Sequence, residues 1–106
     1  MAGALIRSPK TAKRGEVIEI KTLISHPMET GFRPGMNGTI IPRDIIEEFL
    51  CTYNGVEIFR MKMSSAIAAN PFVSFFTVAT ESGVLYFRWT GDNGFLVEET
   101  VPITVV

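Results

Sequence analysis

Cysteine and histidine each occur once in this sequence, at Cys51 and His26. One thiol forms no internal disulfide, and one thiol with one imidazole cannot complete the usual four-ligand zinc sets. A disulfide scaffold and a zinc finger are therefore excluded, and a blue-copper centre fails for want of a second histidine. Excess charge of one sign is also missing. Ten basic residues stand against eleven acidic ones, for a net charge of -1. Broad attraction to phosphate is then absent, which argues against nucleic acid or an anionic membrane as a partner. No apolar run approaches the roughly 18 to 20 residues that span a bilayer. The stretch Met1–Lys10 lacks the basic start, apolar centre and cleavage site of a secretory signal, so the chain is expected to be soluble and uncleaved.

What the sequence has in quantity is apolar surface. Hydrophobic residues make up 46% of the 106 positions. With glycine added, that exceeds the roughly 45 to 50% of ordinary soluble domains counted in the same way. A chain this short has room for one core, so residues 1–106 are expected to form a single domain. A core of that size cannot hide every apolar side chain, and a partner is expected to cover part of the remainder.

The patterning is that of an all-β sandwich. β-Branched and aromatic residues alternate with polar ones between turn signals eight to twelve positions apart. About seven strands are expected, near Gly3–Ser8, Glu16–Ile24, Ile45–Asn54, Val56–Met63, Phe72–Thr80, Val84–Thr90 and Phe95–Val105. Helix is limited to two candidate turns, Pro42–Ile46 and Ser64–Ala69, the second stopped by Pro71. From His26 to Pro42 the chain carries three prolines and three glycines. An irregular stretch of that length is usually functional or disordered.

Two hairpins predict which side chains share a face, because a turn sets the register. Asn54-Gly55 suits a two-residue type I′ turn and would pair Tyr53 with Val56, Cys51 with Ile58 and Phe49 with Arg60. Leu50, Phe59 and Met61 would then share an outer face with Glu48, Thr52 and Glu57. Around Glu81-Ser82-Gly83, a second hairpin would place Val73, Phe75, Thr77, Ala79, Leu85, Phe87 and Trp89 in the core. Its outer face would gather Phe72, Ser74, Phe76, Val78, Val84, Tyr86, Arg88 and Thr90. Aromatics beside arginine are typical of protein interfaces. Both outer faces are therefore candidate docking surfaces, while a bulge in either strand would exchange the faces.

Few residues invite chemistry. Cys51 alternates with Phe49 and Tyr53 on an apolar strand face, where cysteine usually behaves as a small buried hydrophobe. The competing reading is a thiol-dependent sulfurtransferase using Cys51 as nucleophile. Ser25, His26, Glu29 and Cys51 nominally supply a catalytic set, but no motif places them together, and no catalytic residue, metal or cofactor is expected. His26 opens the segment His26-Pro27-Met28-Glu29-Thr30-Gly31. Either it bonds local backbone, or His26, Met28, Glu29 and Phe32 contact a partner. The first 43 residues hold seven basic groups against three acidic ones. The run Arg7, Lys10, Lys13 and Arg14 within them reads as a solvated loop.

At His26-Pro-Met-Glu-Thr-Gly-Phe-Arg33, Ile41-Pro-Arg-Asp-Ile-Ile46, Cys51-Thr-Tyr-Asn-Gly55, Ala69-Asn-Pro71 and Ala79-Thr-Glu-Ser-Gly83, the chain resembles the SoxZ family of sulfur-oxidation proteins, nearly end to end. It departs from the family pattern at Ser64-Ser65, Tyr86 and Gly91, where His-Pro, an acid and an aspartate are expected. The resemblance implies an immunoglobulin-like sandwich with no covalent site or cofactor of its own. It implies a non-catalytic subunit that forms a heterodimer with a SoxY-like carrier, whose mobile Gly-Gly-Cys-Gly-Gly arm holds sulfur intermediates during thiosulfate oxidation. Other sulfur-oxidation enzymes would visit that complex transiently. It further implies a periplasmic location, reached by co-export with the signal-bearing partner. A homodimeric adhesion-type sandwich, or self-association of the isolated chain, is the remaining alternative.

Overall fold

The computed structural model describes residues 3–106, so the first two residues of the expected domain and of the Met1–Lys10 stretch lie outside the described residues. Eight strands follow one another: β1 (Ala4–Arg7), β2 (Thr11–Ala12), β3 (Val17–Ile24), β4 (Ile46–Tyr53), β5 (Val56–Lys62), β6 (Phe72–Val78), β7 (Gly83–Gly91) and β8 (Leu96–Val105). Short 3-10 turns stand at Met36–Gly38 and Asp92–Gly94. Neither Pro42–Ile46 nor Ser64–Ala69 is helical.

The strands form two sheets, β1-β3-β6 and β2-β8-β7-β4-β5. This is the immunoglobulin-like sandwich expected, with one strand more. The extra strand arises because the chain breaks at Ser8-Pro9-Lys10. β1 pairs antiparallel with β3, after which β2 crosses to the other sheet and runs parallel to β8.

Period-two alternation places Ile18, Ile20, Thr22 and Ile24 of β3 inside. Thr22 satisfies its buried hydroxyl by donating to the Val73 carbonyl at 3.1 Å. Across from them lie Phe49, Leu85, Phe87 and Trp89, all fully buried. Ring centroids of Phe49 and Trp89 are 4.9 Å apart, and those of Phe59 and Phe75 are 4.4 Å apart and stacked. The aromatics thus join the two sheets.

Both hairpin readings need correction. Asn54 and Gly55 do turn the β4–β5 hairpin, with φ of 49° and 83°, and Tyr53 does face Val56. Thr52 then faces Glu57 while Cys51 faces Phe59, leaving Ile58 as an extra residue. That bulge exchanges the faces beyond it. Phe59 and Met61 pack against the core, and Arg60, opposite Leu50, points out.

The second hairpin does not exist as such. β6 pairs with β3, whereas β7 pairs with β4 and β8, so Glu81-Ser82-Gly83 spans the two sheets. Two side chains from the neighbouring hairpin hold this arch. Tyr53 Oη donates to the Glu81 carbonyl and accepts the N–H groups of Thr80 and Glu81, each at 3.3 Å. Asn54 Oδ1 accepts the Val84 N–H at 2.9 Å, and its amide occupies the space that a Cβ on Gly83 would need. The inner set from Val73 to Trp89 still points inward, because alternation survives the change of sheet.

Candidate docking surfaces and the buried histidine

Since β6 and β7 lie in different sheets, their outer residues face opposite sides of the sandwich. Phe72 and Phe76 belong to one docking candidate, and Tyr86 and Arg88 to another.

On the three-stranded sheet, antiparallel register lines up Leu5, Leu23 and Phe72 in one row across the strands. They are 68%, 37% and 62% exposed. A row of Arg7, Lys21 and Ser74 comes next, then Glu19 beside Phe76, then Val17 beside Val78. Phe76 is 65% exposed and Val17 63%. A shallow hollow of about 470 Å³ lies among Leu5, Arg7, Lys21, Leu23 and Phe72. Leu5, Leu23 and Phe72 make one contiguous apolar row, which Lys21 and Glu19 separate from Phe76 and Val17, and an exposed row of such large groups marks an interaction surface.

The outer face of the five-stranded sheet is different. Its central row reads Glu98, Arg88, Leu50, Arg60. Arg60 pairs with Glu48 at 2.7 Å and with Glu57 at 2.9 Å, and Tyr86 Oη donates to Glu98. That carboxylate holds the Tyr86 phenol above its ordinary pKa. Leu50 is buried in the register between the two arginines. Of the expected first-hairpin surface of Leu50, Phe59 and Met61, none remains an exposed apolar group. Long polar side chains fill the centre of this face, and exposed Val84 and Leu96 stand at its two ends.

At one end of the sandwich the loops following β3, β5 and β7 meet around His26. Its ring is buried and lies edge-on to Phe95 at a centroid distance of 4.7 Å. Nδ1 accepts the Met28 N–H at 2.9 Å, which leaves the ring proton on Nε2, 3.6 Å from Asp44. Asn70 ties the loop after β5 to it, since the His26 N–H donates to Asn70 Oδ1 and the Asn70 N–H to the His26 carbonyl. Met28 is buried in turn, with its sulfur accepting the Ile46 N–H at 3.3 Å. His26 and Met28 are therefore the fastening of this end, and their side chains are not available to a partner. Glu29 is bound by Arg33 in a two-pronged ion pair that lowers its carboxyl pKa, while Phe32 beside them is 81% exposed.

Asp92 completes the fastening. Its carboxylate accepts from Arg43 at 2.8 Å and from the Ile45 N–H at 3.1 Å. The Arg43 guanidinium above all holds its pKa below the ordinary aspartate value.

Cys51 is fully buried, and desolvation raises its thiol pKa to about 12. The thiolate that a sulfurtransferase needs is strongly disfavoured there. Among the described residues, no group of three or more histidine, cysteine, aspartate or glutamate side chains is placed to hold a metal. The basic residues Arg7, Lys10, Lys13 and Arg14 are solvated. Sequence reading missed Leu5, Val17 and Leu23 as surface candidates. Their signal was present as apolar residues on the odd, outward positions of β1 and β3.

Among solved structures, the fold is similar to the superoxide reductase (neelaredoxin) of Ignicoccus hospitalis, with a TM-score of 0.69 and 20% identity over 99% of this chain and 82% of that one. It is also similar to the sulfur carrier protein SoxY of Chlorobium limicola, with a TM-score of 0.65 and 13% identity over 97% of this chain and 78% of that one. A putative superoxide reductase of Thermotoga maritima gives 0.67 and 17%, over 97% and 85%. At such identities the likeness is one of fold alone. No curated protein sequence matches the chain. The profile of the sulphur oxidation protein SoxZ matches residues 6–102, nearly the whole sequence, and the chain belongs to the SoxZ family.

Proposed function

We propose that this chain is the non-catalytic subunit of a sulfur carrier complex in thiosulfate oxidation, and that it binds a SoxY-like carrier protein through the outer face of its three-stranded sheet. The observation that supports this reading best is the exposed row Leu5, Leu23, Phe72, with Phe76 beyond the Arg7, Lys21, Ser74 row, on a sandwich whose opposite face carries ion pairs at its centre. The inaccessible thiol of Cys51 favours a supporting subunit over a sulfurtransferase. The carrier's mobile cysteine arm then supplies the covalent chemistry, and exposed Phe32 offers a foothold for visiting enzymes. In this reading the complex works in the periplasm, where the signal-bearing partner carries it.

Burial of one such aliphatic or aromatic side chain contributes about 1.5 to 3 kcal/mol. Leu23→Asp and Phe72→Asp are each expected to weaken binding of a separately prepared SoxY-like protein at least tenfold by calorimetry. Tyr86→Asp on the opposite face is expected to leave it within about twofold, as a peripheral charge change does. Undiminished affinity in both face variants would remove this surface as the docking site, and loss in Tyr86→Asp alone would move it to the five-stranded sheet.

A further inference from the structure

An exposed sheet edge is an open template for another strand, and soluble proteins normally guard it with brevity, charge, proline or a bulge. Three edges here are guarded. β1 is four residues long and runs into Ser8-Pro9, and β2 has only two residues. β5 carries the Ile58 bulge together with Glu57, Arg60 and Lys62. The fourth edge, β6, is seven residues of Phe-Val-Ser-Phe-Phe-Thr-Val, with no charge, proline or glycine and no break in its register with β3.

The backbone groups left open on that edge can be named. At the two ends of the β3–β6 ladder, the Ile24 N–H donates to the Pro71 carbonyl and the Ala79 N–H to the Glu16 carbonyl. In an antiparallel ladder this phase gives Val73, Phe75 and Thr77 the bonds to β3. It turns the N–H and C=O groups of Phe72, Ser74, Phe76 and Val78 outward. Beside the edge lies an apolar groove of about 480 Å³, lined by Tyr53, Val56, Ile58, Thr77 and Val78.

We propose that β6 pairs antiparallel with β6 of a second copy of this chain, around a two-fold axis at Phe75. In that register Phe72 faces Val78 of the second copy, Ser74 faces Phe76, and Val73 faces Thr77. Every outward N–H and C=O of Phe72, Ser74, Phe76 and Val78 finds a partner, inner side chains stay beside inner ones, and no charges meet. Self-pairing is favoured over a foreign strand because the two-fold register sets exposed Phe72 against exposed Val78 at both ends of the ladder, so the edge covers its own apolar groups in an isologous contact. It also continues the exposed apolar row. Leu5, Leu23 and Phe72 run on into Val78 and Val17 of the second copy, forming one band across five strands. The two outer faces point to the same side, so dimerisation and carrier docking are separable properties.

Sedimentation equilibrium of the isolated chain tests this. The mass is expected to be twice 11.7 kDa, falling to the single-chain value on dilution. Ser74→Pro removes an edge N–H and is expected to raise the dissociation constant roughly tenfold to a hundredfold. Ser74→Lys with Phe76→Lys sets like charges opposite each other and is expected to give monomers. Mixing that protein with one carrying Ser74→Glu and Phe76→Glu is expected to restore a dimer. Each variant is compared with the parent by Trp89 fluorescence, so that unfolding is recognised. Leu23→Asp is expected to keep the dimer while losing the carrier, which separates this proposal from the docking face. A parent chain that stays monomeric at every concentration overturns self-pairing. So does a dimer indifferent to the paired lysines, a lysine–glutamate mixture that stays monomeric, or an edge that becomes protected from hydrogen exchange only when a SoxY-like protein is added.

Discussion

Gly91→Ala is a sharp test of how the histidine end is fastened. Gly91 has φ of -170°, an extended conformation open to any residue, so space is the only obstacle. A Cβ there would lie 2.3 Å from the Ile45 carbonyl oxygen and 2.7 Å from Ile46 Cα. Both are backbone atoms where the chain enters β4, and no rotamer change relieves the overlap. The strand end must retreat, taking with it two buried isoleucines and the paired bonds between Ile45 and Asp92, at 2.9 and 3.1 Å. Overpacking of this kind costs about 1 to 3 kcal/mol, and each disturbed hydrogen bond roughly a further 0.5 to 1.5. The expected loss is thus about 2 to 6 kcal/mol. With a mid-range urea slope of about 2 kcal/mol/M, the unfolding midpoint falls by on the order of 1 to 3 M. Trp89, the single tryptophan, lies two residues away and fully buried, so its fluorescence reports the transition. Gly94→Ala is the control, with φ of 72° but nothing within 4 Å of an added Cβ, and it should cost only the roughly 1 kcal/mol of left-handed strain. A Gly91→Ala protein within about 0.5 kcal/mol of the parent would refute the close approach of β4.

Three further outcomes are expected. Gly83→Ala should destabilise the parent by about 2 kcal/mol and an Asn54→Gly background by much less, because the new methyl competes with the Asn54 amide; additivity in the double-mutant cycle would contradict that packing. Alkylation of native protein at neutral pH, followed by mass, should leave Cys51 unlabelled until denaturant is added, since a thiol pKa near 12 leaves on the order of 10⁻⁵ as thiolate at pH 7; rapid native labelling would revive the sulfurtransferase. Asp92 has its pKa depressed in the folded state, so its contribution is present above the unfolded aspartate value and is lost as pH falls through the folded one. Asp92→Asn should accordingly melt below the parent at pH 7, with the gap closing below about pH 4; a gap constant down to acid pH would mean that its charge contributes nothing.

The inner faces of this sandwich were legible in the sequence because alternation is local. Val73, Phe75, Ala79, Leu85, Phe87 and Trp89 are inside whichever strand lies beside them. Asn54-Gly55 was legible for the same reason, since two adjacent residues with positive φ define their own turn. The family likeness also lay in the linear order of residues, at blocks spread through the chain.

Which outward residues keep company was not legible. Phe76 and Tyr86 lie on opposite faces because β6 chose β3 as its neighbour and β7 chose β4 and β8, a choice among distant strands. Ile58 turned Phe59 and Met61 inward through one extra residue, which binary patterning does not register. His26 and Met28, set in an irregular stretch rich in proline and glycine, became interior only when three loops closed over them. Period and turn chemistry thus determined each strand and its inward side, while pairing, sheet membership and loop closure decided the surface. A strand's alternation is written within itself, but its neighbours are settled by the free energy of the whole packed chain.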